Sequence, residues 1–172
     1  MTTIAYDGKA IASDRRATWD NEPCPHPESK LSLFSFNDRR FIVGRSGFPN
    51  QAMRLFNHVL TAQRFGGLTY PYCCIGDEKA TLLVVELLPD YCHRATLIDT
   101  DGGETDVTDF PAAIGSGASY ALGAMYAGAG AVRAVEIASG LNVHCGDGCD
   151  SFTIAHAHDY PADDFPAFIS GG

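Results

Sequence analysis

The sequence predicts an α+β fold in which antiparallel sheets stack and helices cover them from outside. Three observations predict it. The chain opens on an alternating hairpin pattern, TIAYD followed by Asp7-Gly8 and KAIAS, and a two-residue Asp-Gly turn between alternating runs is a hairpin signal. The helical stretches come in groups between groups of strands, without the strict β-α-β alternation of a parallel sheet. The run ASYALGAMYAGA is small and apolar nearly all round, the mark of a helix buried on several sides.

Each element follows in order. Residues 19–29, WDNEPCPHPES, hold three prolines within five positions and predict a loop without regular structure. A strand returns toward the core in ESKLSLF, and RRFIVG at 39–44 is another strand. Pro49-Asn50 opens a helix with Ala52, Leu55, Phe56, Val59 and Leu60 on one face, and Gly66-Gly67 ends it. TLLVVELL (81–88) and RATLIDTD (94–101) are strands, and AAIGSG (112–117) is a short strand entering a glycine turn. Helices are predicted over 118–129 and 131–141, and a closing period-two strand over SFTIAHAH, 151–158.

At 172 residues, with 45% hydrophobic and 19% charged residues, the chain has the length of a single domain, 1–172. A chain of this size buries roughly 70% of its unfolded surface without staples. The net charge is −9, and the largest basic clusters are the pairs Arg15-Arg16 and Arg39-Arg40, which argues against a nucleic-acid partner. No apolar run approaches the about 18 residues a membrane span needs. The amino terminus lacks the form of a signal peptide, so a cytoplasmic location is expected. In that compartment the six cysteines are expected to be reduced thiols.

A threonine hydroxyl is a poor nucleophile at neutral pH and needs a base beside it. If Met1 is removed, Thr2 supplies its own in the freed α-amine, whose ordinary pKa is about 7.7–8. Of three lysines, Lys9, Lys30 and Lys79, Lys30 stands where a strand returns toward the core. An ammonium beside Thr2 would favour the alkoxide, and Asp14, ending the second strand, is placed to pair with Lys30.

TTIAYDGKAIASDRRAT, the lysine, VGRSG, AIGSGASYALGA and GDGCDS, in that order, resemble the proteasome β-subunit superfamily, with the nearest likeness to its bacterial HslV-type branch. These are N-terminal nucleophile (Ntn) hydrolases with a four-layer αββα sandwich. The resemblance covers nearly the whole chain as one proteasome-subunit-like domain. It implies a threonine peptidase with Thr2 as nucleophile, Asp14 as the buried aspartate and Lys30 as the essential lysine. It implies further that Gly47 offers its N–H to the oxyanion, that Ser116 hydrogen-bonds the terminal amine, and that Asp147 supports that serine. No cofactor is implied. Arg45 falls at the floor of the S1 pocket, where a buried guanidinium predicts acidic P1 residues; Arg16 is assigned with it to substrate binding. The implied partners are a peptide or unfolded-protein substrate, further copies in a ring, and an ATPase unfoldase.

The sequence departs from that pattern in two places besides Arg45. Asp150 stands where the family has a serine, with Ser151 next to it. Only one long helix fits between VGRSG and TLLVVELL, because GGLTYPYCCIGD is too short for a second. The alternatives are a different amidase on the same fold and a catalytically silent oligomeric scaffold.

Other motifs carry less. His144, Cys145, Asp147, Cys149 and Asp150, with His156 or His158, offer zinc ligand types at a loose spacing. Gly115-Ser116-Gly117 lacks the third glycine of a dinucleotide turn. Asp99-x-Asp101-Gly breaks off after two calcium-type ligands and reads as a hairpin turn.

Overall fold

A computed structural model of the chain describes residues 2–19, 22–23, 26–64, 79–101 and 103–164. The opening hairpin, β1 (Thr3–Tyr6) and β2 (Ala10–Asp14), forms the middle of a four-stranded antiparallel sheet. Its outer strands are β10 (Ala112–Gly115) against β1 and β11 (Cys149–Thr153) against β2. Two-residue strands β3 (Thr18–Trp19) and β4 (Glu22–Pro23) pair with each other, which corrects the expectation of an irregular loop at Trp19, Glu22 and Pro23. The second sheet runs β5 (Leu31–Phe36), β6 (Arg39–Gly47), β7 (Ala80–Leu87), β8 (His93–Asp99) and β9 (Glu104–Asp106), all antiparallel neighbours.

Period-two alternation sends successive side chains to opposite faces, and both faces of β1 are buried. Ile4, Tyr6 and Ile11 meet Leu31, Ile42, Leu83 and Val85 of the second sheet in the core between the sheets. Ala5 and Ala12 point the other way, onto Ala121 and Met125 of α2 (Ala118–Tyr126) and Ala131, Ala134, Val135 and Ala138 of α3 (Ala131–Leu141). On the far side, α1 (Pro49–Arg64) sets Ala52, Leu55 and Phe56 against Phe41, Val43 and Leu82. The layers therefore run helix, sheet, sheet, helix. Each fully buried Ile, Leu, Val or Phe contributes about 1.5–3 kcal/mol to this arrangement. The expected core positions Val59 and Leu60, the Gly66-Gly67 stop and the shortened segment lie outside the described side chains.

The closing strand is corrected. The β pattern expected over 151–158 ends at Thr153, and Ile154–His158 form a short helix, α4. Thr153 pairs with Ala10, the first residue of β2, and the Ile154 N–H donates to the Lys9 carbonyl. Beyond that point the hairpin turn begins and no partner strand continues. A helical turn then buries Ile154 and Ala157 together.

Candidate active site

Thr2 sits just before β1, buried, where the register of the first sheet brings three turns together. Thr3 lies opposite Gly115, and Cys149 opposite Asp14. The Thr2 carbonyl accepts hydrogen bonds from the Gly117 N–H at 3.3 Å and the Ser116 hydroxyl at 3.4 Å. Gly115 is required here: its φ is +93° and a Cβ would lie 2.0 Å from the Thr2 carbonyl oxygen, so only glycine permits the approach.

Asp14, fully buried, is the hub. Its Oδ1 accepts from the Thr3 N–H at 2.7 Å and from Lys30 Nζ at 2.7 Å, and its Oδ2 accepts from the Gly146 N–H at 3.1 Å. Lys30 Nζ also donates to the Arg16 carbonyl at 2.7 Å. A buried carboxylate with three donors is fully satisfied, which is the condition for keeping such a charge out of water. Lys30 reaches this position because it precedes β5, where its own carbonyl accepts from the Arg45 N–H at 3.0 Å.

Gly47 ends β6 opposite Ala80, with φ +92° and room for no side chain, since a Cβ would lie 2.2 Å from the Lys79 carbonyl oxygen. Arg45 points to the α1 side of the same strand. Its Nη1 donates to the Met53 sulfur at 3.3 Å, and its Nε is buried without a partner. Among the described residues it has no carboxylate partner.

Asp147 departs from its expected place. Its carboxylate takes both Nε and Nη2 of Arg16 at 3.1 Å and makes no hydrogen bond to Ser116. That bidentate pair holds the Asp147 carboxyl below the usual carboxylate range. Arg16 also donates to the Val143 carbonyl at 2.6 Å. Its guanidinium therefore clamps the turn before β11. The side chain found beside Ser116 is Cys145, which sequence spacing had suggested only as a metal ligand.

The metal-type side chains of the 144–150 loop turn to separate partners. Cys145 turns onto Thr3, Asp147 onto Arg16, and the Asp150 carboxylate lies 3.6 Å from Arg15. The Cys149 thiol donates to the Asp150 carbonyl at 3.5 Å, and burial pushes its pKa up to about 11. Among the described residues no three His, Cys, Asp or Glu side chains converge.

No protein-family model matches the chain, and no curated protein matches it. Solved structures do. Eukaryotic HslV from Trypanosoma brucei superposes with a TM-score of 0.62 at 21% identity, covering 88% of this chain and 97% of that one. Anbu, an ancestral beta-subunit, from Yersinia bercovieri gives 0.63 at 14% identity, over 88% and 81%. BPH from Thiobacillus denitrificans gives 0.58 at 20% identity, over 88% and 95%.

The fold is of the proteasome-subunit, Ntn type. Among the described residues no helix is long and apolar enough to cross a membrane.

Proposed function

We propose that this chain is a threonine peptidase subunit whose nucleophile is Thr2, exposed by removal of Met1. The observation that carries the reading is the Asp14 hub: one buried carboxylate ties the Lys30 ammonium to the backbone of Thr3, next to Thr2. A buried cation at that place favours the alkoxide over the hydroxyl. Thr2 Oγ attacks the scissile carbonyl and its proton passes to the free α-amine, which returns it to the peptide nitrogen as the C–N bond breaks and the amine product departs. The Gly47 N–H is the oxyanion donor, a role commonly worth about 10²–10³ in rate. Water then hydrolyses the ester on Thr2. Ser116 sets the Thr2 backbone, and Asp147 acts indirectly, by holding Arg16, whose carbonyl receives Lys30.

Arg45 supports a preference for acidic P1 residues, because among the described residues its half-buried guanidinium has a sulfur and no carboxylate to answer its charge. Assembly of several copies is part of the proposal. A structural neighbour, the Anbu complex from Pseudomonas aeruginosa, forms a helical assembly and matches with a TM-score of 0.64 at 12% identity. Confinement within an assembly suits a peptidase of cytoplasmic protein, with an ATPase unfoldase as the partner that would feed it.

Intact mass before and after incubation with a peptide epoxyketone tests the reading. This reagent condenses with a hydroxyl and a free α-amine carried by the same residue. Loss of Met1 and one adduct, abolished in Thr2→Ala, is the expected result. A processed chain without an adduct points to another amidase; a retained Met1 without an adduct points to a silent scaffold.

A further inference from the structure

Thr3, Ser116 and Cys145 form a buried cluster that the Asp14 hub does not account for. The Thr3 hydroxyl donates to Cys145 Sγ at 2.9 Å, and the same sulfur lies 3.8 Å from the Ser116 oxygen. Ser116 in turn donates to the Thr2 carbonyl at 3.4 Å. Thr3 is 0% and Cys145 1% exposed, so water does not substitute for either partner. Gly117 leaves the space: a Cβ there would lie 1.9 Å from the Thr3 oxygen and 3.2 Å from the sulfur.

We infer that Cys145 is a positioning residue for the amino-terminal site, orienting the Thr3 and Ser116 hydroxyls that flank Thr2. A thiol is both a weak donor and a weak acceptor. With the Thr3 O–H given to sulfur, the S–H is directed at the Ser116 oxygen, and the Ser116 proton is left for the Thr2 carbonyl. The chain of donors therefore runs one way, from Thr3 through Cys145 and Ser116 to Thr2, and each bond polarises the next. The backbone after the cysteine is tied to the same place, because the Gly146 N–H donates to Asp14 and its carbonyl accepts from the Arg15 N–H. Asp147, held by Arg16, leaves this task to the thiol. The inference deepens the peptidase reading and rests on it for its catalytic consequence, while the positioning itself is measurable without activity.

The test compares Cys145→Ser and Cys145→Ala in the Met1-processed protein. Two quantities are read: hydrogen exchange at the Thr3 and Gly117 amides, and the rate of Thr2 modification by the epoxyketone across pH. Serine, which also donates and accepts, is expected to keep both within about threefold. Alanine is expected to lose about tenfold in amide protection and in modification rate at saturating reagent, the equivalent of one hydrogen bond, with a shifted pH midpoint. Thr3→Val breaks the chain at its other end and is expected to be non-additive with Cys145→Ala. Alanine equal to the parent, serine as damaging as alanine, or additive effects would each overturn the inference. If the parent takes no adduct, the peptidase reading fails separately, and amide exchange alone decides the positioning: loss in alanine with retention in serine upholds it, and no change overturns it.

Discussion

Lys30 Nζ lies 2.7 Å from Asp14 Oδ1, with the aspartate side chain 0% exposed and the lysine side chain 10% exposed. Asp14 ends β2 of the first sheet, and Lys30 immediately precedes β5 of the second. Their pairing thus joins the two sheets at the end where Thr2 precedes the first strand. Removing Lys30 leaves the Asp14 carboxylate buried without its ammonium, held by the Thr3 and Gly146 N–H groups. Lys30→Ala is expected to destabilise the fold by about 3–5 kcal/mol, read by urea unfolding. Thr2 modification should fall by about 10²-fold or more, as for loss of a preorganised electrostatic group.

Glycine substitutions should separate close approach from helix propensity. Gly115→Ala places a methyl against the Thr2 carbonyl and is expected to cost about 1–3 kcal/mol as overpacking, with Thr2 reactivity lost as its backbone is displaced. Gly123, inside α2, has nothing within 4 Å of an added Cβ. Gly123→Ala should raise stability by about 0.8–1 kcal/mol and leave reactivity unchanged. Thermal midpoints and adduct rates for the pair check both statements.

Substrate choice should follow Arg45. A charge-assisted hydrogen bond contributes about 1.5–3 kcal/mol, so Arg45→Leu is expected to move the ratio of kcat/KM for acidic over apolar P1 peptides by roughly 10–100-fold toward apolar. A fluorogenic panel measures it. Apolar P1 substrates winning clearly with the parent protein would sink the assignment.

Far from Thr2, Tyr6 and His93 set a pH dependence of stability. The Tyr6 hydroxyl contacts His93 Nε2 and the Thr108 carbonyl, both at 2.7 Å. Tyrosine has one proton and the carbonyl only accepts, so His93 Nε2 carries a hydrogen and donates to the Tyr6 oxygen. Burial, then the nearby His158, lowers the His93 pKa, opposed by Asp109. Below about pH 6.5 the unfolded chain takes up this proton before the folded one. The contribution is therefore complete above that pH and falls as the solution is acidified. The urea midpoint should drop as the pH falls below about 6.5, and His93→Gln should flatten that slope.

At the alkaline end the sign reverses. Burial, with Asp109, Asp7 and Asp106, raises Tyr6 to about 12. Above about pH 10 the unfolded chain gives up its phenol proton first, so stability falls as pH rises toward 12. Tyr6→Phe should remove that loss, at a cost of about 1–3 kcal/mol at neutral pH for the unpaired Thr108 carbonyl.

Much of this architecture was legible in the chain because it is locally encoded. Asp7-Gly8 states the hairpin, the 3.6-residue period states α1 and α3, and the small residues of 118–129 state a helix that packs close, which the structure ends at Tyr126. The pairing of Asp14 with Lys30 was legible because lysines are few in this chain and Lys30 stands where a strand returns toward the core; the structure brings the two together beside Thr3. What the tertiary structure alone decided was which groups meet. It ended the last strand at Thr153, because β2 offers no partner beyond Ala10. It gave Asp147 to Arg16, and it turned Cys145 onto Thr3, a partner 142 residues away in sequence. Periodicity and spacing record each residue's neighbours along the chain, whereas a hydrogen bond is chosen by distance in space, and that distance exists only once both sheets have closed.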